Sequence, residues 1–120
     1  MQRIYKAFFN SLNALFHLSR HEKAFQQELL LLAAGILLSF IVAQDILSQA
    51  ILIGSIILIL FAEIINTAIE KACDAITVEF NANIKLAKDC GSLAVLMSCL
   101  IALAVWIYYF HLYFFPQTIS

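Results

Sequence analysis

Glycine, proline and charge are what this chain has least of: 3 Gly, 1 Pro and 12% charged residues in 120, against 63% hydrophobic residues and a mean hydropathy of +0.93. A soluble domain of this length needs more polar surface to cover itself, so that class is excluded. With only Gly35, Gly54 and Gly91 available, neither a Walker loop nor a kinase glycine-rich loop can be assembled. The 3 cysteines, Cys73, Cys90 and Cys99, are odd in number and lack metal-ligand spacing. They read as small apolar side chains in a reducing or lipidic setting. A net charge of −1 says little about partners by itself, and no nucleic acid partner is expected.

What is there is apolar and arranged in runs. Residues 29–43, 46–62 and 91–115 are each near the ~20 residues that cross a hydrocarbon core. The expected fold is an all-α membrane protein with three transmembrane helices and an N-terminal amphipathic surface helix. A single domain over 1–120 is expected, with a surface helix at 1–18 and membrane helices at 22–43, 46–80 and 86–115. No secretory signal is visible, because the first long apolar run begins only at Leu29 and no small-residue cleavage site follows it. All 7 Lys and Arg fall before the first span or between the second and third. By the positive-inside rule, the N-terminus and residues 71–90 are cytoplasmic and the C-terminus is outside.

Within 2–18, Ile4, Phe8, Leu12, Leu15 and Phe16 recur at helical spacing, while Arg3, Lys6, Asn10, Asn13 and His17 lie mostly elsewhere on the wheel. Ser19-Arg20-His21-Glu22 has the form of a capping box, which predicts that the first membrane helix starts there. Ala33, Ala34, Gly35, Gly54 and Ser55 are small enough for helices to approach closely. A turn is expected near residues 81–83, and Trp106, Tyr108, Tyr109 and Tyr113 form an aromatic belt at the outer interface.

The organising stretch follows the uncharged run 51–62. At 100° per residue Glu63, Asn66, Thr67, Glu70 and Asp74 fall within roughly 80° of arc, one polar stripe on one helix. Acids at the end of a membrane span are costly to desolvate and point to function. They also repel one another unless a cation lies against them. Mg²⁺ suits such a stripe, because it takes one or two carboxylates plus phosphates and waters. Glu70 with Asp74, or Glu70 with Glu22 from the neighbouring helix, supplies those ligands. Glu63 lies about 10 Å deeper than Glu70, where a carboxylate has lost part of its hydration and suits proton abstraction from a lipid hydroxyl. Lys88 is placed to neutralise phosphate. The parts fit phosphoryl transfer, whose catalysis is positioning plus charge neutralisation.

The run Glu63-x-x-Asn66-Thr67-Ala68-Ile69-Glu70-x-x-x-Asp74, followed by Ala87-Lys88-Asp89, resembles the signature of the small bacterial diacylglycerol kinase family, which includes undecaprenol kinases. Glu22-x-Ala24-Phe25-x-Gln27-Glu28, Gly91-Ser92 and Trp106 extend the resemblance over nearly the whole chain. It implies a homotrimer in the bacterial cytoplasmic (inner) membrane that uses Mg²⁺ and ATP to phosphorylate a membrane lipid alcohol, with sites shared between subunits. On that resemblance Glu63 is the catalytic base and Asn66 lines the reaction centre. Glu22 and Glu70 hold the metal and Asp74 supports them. The nucleotide contacts are Arg3, Asn10, Glu22, Glu70, Glu79, Phe80, Asn81, Lys88 and Asp89, and the lipid contacts are Glu28, Glu63, Ser92 and Trp106.

Asn10, Asn81 and Leu86 depart from the family's usual residues, which touches the nucleotide contacts more than the phosphate chemistry. Diacylglycerol is the expected substrate, with undecaprenol as the alternative. A small ion transporter or channel subunit is the competing class. It fits less well, because the acids stop at one leaflet and the third span carries none beyond its start.

Overall fold

The computed structural model describes residues 1–116 and contains four helices and no strand among them. The last residues of the expected domain, and with them the C-terminus, lie outside the described residues. Helix α1 is Gln2–His21, α2 is Lys23–Val42, α3 is Ile46–Ile76 and α4 is Ala82–Phe114. The last three are long and apolar enough to cross a membrane. The molecule is accordingly elongated, 63 × 39 × 25 Å. It is a multi-pass membrane protein.

Helix α3 is the spine. It packs against α4 and α2, whereas α1 touches only α2. Its buried residues Leu52, Ile56, Ile59, Glu63, Asn66 and Thr67 recur every three or four positions, a single inward face that changes from apolar to polar at Glu63. Its 31 residues extend about 46 Å, well beyond a ~30 Å hydrocarbon core. Counted from Ile46, the core ends near residue 65. The stripe lies on the C-terminal half of a helix that is longer than the hydrocarbon core is thick.

Local chemistry sets the helix ends. Asp45 caps α3 by accepting from the Ser48 N–H at 2.7 Å, and that bond holds its carboxyl below the usual carboxylate range. Asn81 caps α4 by accepting from the Asn83 and Ile84 N–H groups at 2.9 and 3.2 Å. The helical bounds differ from expectation at these ends. Helix α3 stops at Ile76 and α4 starts at Ala82, so the turn occupies the residues between them and Asn81 closes it.

The expected capping box does not form. Ser19 Oγ donates instead to the Leu15 carbonyl at 2.7 Å, within a helix α1 that continues to His21. Glu22 alone breaks the chain between α1 and α2, with φ −107° and ψ 110°, and its side chain caps neither helix. Gln26 Nε2 donates to the Ser19 carbonyl at 3.0 Å across this elbow. Leu18, Phe25 and Leu60 pack beneath it, flanked by Leu29 and Leu32.

The small residues divide. A Cβ on Gly35 would overlap Ile56 Cδ1, so this glycine makes room for the tip of a side chain from α3. Gly54 meets nothing of its own chain, so it serves no close approach among these four helices. It lies off the buried face, and only Ser55 beside it is inside.

Candidate active site

The α1–α2 elbow, the C-terminal part of α3 and the start of α4 converge on Glu63. Its side chain is buried, with 9% of the residue exposed, and Asn66 one turn on is 7% exposed. Glu70 and Glu22 are half-buried. Glu22, Glu28 and Glu70 all lie close enough to Glu63 to repel it. Four carboxylates gathered in this way cost stability unless a ligand compensates.

Asn66 organises the centre. Its Nδ2 donates to Glu70 Oε1 at 3.3 Å, while its Oδ1 is buried without a donor. That oxygen is pressed against Gly91 of α4, where any Cβ would overlap it and stand 3.6 Å from the Asn66 Cα. Here glycine serves close approach of two helices. Glu28 Oε2 is the other buried oxygen without a partner among the described residues. Leaving such an atom unpaired costs ~1–3 kcal/mol, so each calls for a partner that water or a ligand can supply.

Charge pairs ring the wet end. Lys88 of α4 donates to Asp74 Oδ1 of α3 at 2.7 Å. Lys85 pairs with Asp89 at 2.8 Å, one turn apart on α4. Lys71 reaches across to Glu22 Oε1 at 3.3 Å. Sequence reasoning missed Lys71, which lies off the acid stripe. Its one signal was that it directly follows Glu70.

The remaining expected residues are more dispersed. Arg3 and Asn10 are exposed on α1, and Arg3 is about 27 Å along the helix axis from His21 at the elbow. A single chain does not bring them to the acids. Glu79 and Phe80 are exposed in the α3–α4 turn, Phe80 at 83%, and the side-chain oxygen of Asn81 is engaged in its cap. Ser92 is exposed beside Gly91. Trp106 is about 20 Å further along α4, where its Nε1 donates to Ser55 Oγ at 3.1 Å, midway along the apolar run of α3 and not in the expected aromatic belt at the outer interface. It lines an apolar cleft of about 360 Å³ with Gly35, Ile56, Cys99 and Ala102.

Glu22 and Glu70 offer the carboxylate oxygens that a hard cation takes, while Asn66 Oδ1 is turned away against Gly91. Among the described residues no three acidic, histidine or cysteine side chains stand together so that they could hold a metal ion. Mg²⁺ does not require three such groups, since it keeps waters and phosphates as ligands.

Residues 9–110 match the family described as prokaryotic diacylglycerol kinase. The chain is 34% identical over 86 residues to the diacylglycerol kinase of Escherichia coli K12, covering 72% of this chain and 70% of that one. Against the diacylglycerol kinase of Helicobacter pylori 26695, identity is 35% over 105 residues, covering 88% and 82%. The diacylglycerol kinase of Pseudomonas aeruginosa PAO1 is 31% identical over 106 residues, covering 88% and 86%.

Proposed function

Because the chain belongs to the prokaryotic diacylglycerol kinase family and is a lipid kinase, we propose that it transfers the γ-phosphate of ATP to the primary hydroxyl of diacylglycerol, giving phosphatidic acid. The observation that carries this reading is the buried Glu63, one turn from an orphaned Asn66 oxygen and two from the wetter Glu70. That order supports a base at the depth of a lipid headgroup and metal-binding acids at the depth of a soluble nucleotide.

In the proposed step, the lipid hydroxyl oxygen attacks the γ-phosphorus, the bond to the bridging oxygen of ADP breaks, and the hydroxyl proton passes to a Glu63 oxygen. Burial of Glu63 excludes the water that would compete as acceptor. Lys88 exchanges Asp74 for phosphate, and Asp89 assists on the same helix. Asn66 keeps Glu70 in place through its Nδ2. Glu22 and Glu70 would hold Mg²⁺, which when bound neutralises and orients the phosphates. Glu28, Ser92 and Trp106 line the lipid side, and Glu79, Phe80 and Asn81 border the nucleotide.

The reading extends to assembly and location. The separation of Arg3 and Asn10 from the acids supports a homotrimer in which α1 of one subunit completes a neighbour's site. The distribution of Lys and Arg supports insertion in the bacterial inner membrane with the catalytic end cytoplasmic. The deciding experiment is turnover of labelled ATP by purified protein in mixed micelles with diacylglycerol or undecaprenol. Phosphorylation of diacylglycerol is expected, and a preference for undecaprenol overturns the substrate assignment.

A further inference from the structure

Only one cation forms an ion pair with the acids around Glu63 among the described residues; Lys88 stands near Glu70 but is paired with Asp74. Of the three ion pairs found there, Lys85–Asp89 and Lys88–Asp74 involve acids outside that group, while Lys71–Glu22 joins one of its members. Lys71 is one residue past Glu70, about 100° around α3 and off the stripe. Its flexible stem crosses from α3 to the elbow, where the capping role expected for Glu22 is vacant. The two ends differ in setting: the Lys71 side chain is 65% exposed, whereas that of Glu22 is 25% exposed. An ammonium at the wet rim thus holds a largely enclosed carboxylate by a single contact.

We infer that Lys71 is a placeholder cation, which keeps Glu22 aimed into the site when no metal is bound and competes with a divalent cation for the same carboxylate oxygen. This rests on the reading that Glu22 takes part in metal binding. Without Lys71, the elbow would present an uncompensated acid beside Glu63 and Glu70, and a free divalent ion would enter on its own. With Lys71 present, a bare ion must first displace a cation and leave its ammonium without a partner. A divalent ion that arrives with a polyphosphate removes that penalty, since the polyphosphate supplies the released ammonium with new oxygens. Lys71 therefore couples metal binding to nucleotide binding, and the coupling is reciprocal. It acts as a positioning residue, through Glu22.

The test is direct Mn²⁺ binding to the full-length protein in detergent, followed by electron paramagnetic resonance with and without a non-hydrolysable ATP analogue. Lys71→Met keeps the stem and removes the charge. It is expected to tighten Mn²⁺ binding without nucleotide by roughly three- to fivefold, the size of an exposed ion pair. The affinity gained on adding the analogue should shrink by the same factor. Lys71→Arg should stay at or below the wild-type affinity. Glu22→Gln should lose most Mn²⁺ binding in both the wild-type and Lys71→Met backgrounds. If Glu22→Gln loses Mn²⁺ but Lys71→Met leaves the affinity unchanged or weaker, the placeholder role is overturned and the metal site stands. If Glu22→Gln binds Mn²⁺ as well as the wild type, the metal assignment itself is overturned. A lysine that merely tied the elbow to α3 would not tighten metal binding when removed.

Discussion

The carboxamide oxygen of Asn66 rests against Gly91, and no Cβ fits between them. This contact joins α3 to α4 at the level of the acids, and it leaves Asn66 one free hydrogen-bonding end, its Nδ2, which it gives to Glu70. Packing and site geometry are thus one feature.

Gly91→Ala is therefore expected to push Asn66 aside, destabilise the α3–α4 pair by ~1–3 kcal/mol and lower turnover. Gly54→Ala is the control. It meets open space, and alanine favours helix by up to ~1 kcal/mol, so stability should hold or rise. Thermal melting and ATP turnover of the two variants check this. Equal behaviour would show that the Asn66–Gly91 approach is unimportant.

Glu63→Gln keeps the size and burial of the side chain but cannot accept the hydroxyl proton. Turnover should fall roughly 10²–10⁴-fold, with helical content and oligomer size unchanged. Circular dichroism, light scattering and single-turnover assays make the comparison. A near wild-type rate would remove Glu63 as the base.

Glu70→Ala and Glu22→Ala remove the acids at the wet end. A higher Mg²⁺ requirement and weaker ATP binding are expected before any loss at saturating metal. Initial rates across a Mg²⁺ titration measure this, and an unchanged titration curve in both variants contradicts the assignment.

Trp106 is the chain's 1 tryptophan, and its indole N–H donates to Ser55 Oγ inside an apolar cleft. Ser55→Ala leaves that N–H unpaired, at a cost of ~1–3 kcal/mol. The expected readout is a shifted tryptophan emission together with a lower melting temperature. Unaltered emission would mean that the indole is placed by packing alone.

Asp45 gives a pH dependence. The Ser48 N–H lowers its folded pKa below the ordinary 3.8, so the cap's contribution is complete above that value and is lost as pH falls through the folded one. Asp45→Asn, which still accepts the bond, should keep its melting temperature in acid relative to neutral pH better than the wild type. Parallel loss in both proteins would assign acid sensitivity to other groups.

Local pattern made much of this legible in the amino-acid order. The three spans follow from apolar runs of bilayer length, and the stripe from Glu63 to Asp74 follows from the 100° turn of a helix. Glu63 lies deeper than Glu70 because the two are separated along one rigid axis. These are properties of single segments, and hydropathy and periodicity report them directly.

What tertiary structure decided are relations between segments. Ser19 and Glu22 satisfy the pattern of a capping box, yet α1 runs through Ser19 and frees Glu22 to meet Lys71. Gly35 and Gly91 make room for side chains of α3 and Gly54 makes room for none, although the three are alike in sequence. Lys88 reaches Asp74, while Lys85 stays with Asp89. Each outcome depends on how α2 and α4 are rotated and set in height against α3. That rotation comes from nonlocal packing, whose contacts lie many residues apart, so no periodicity within one helix encodes which acid a lysine will find.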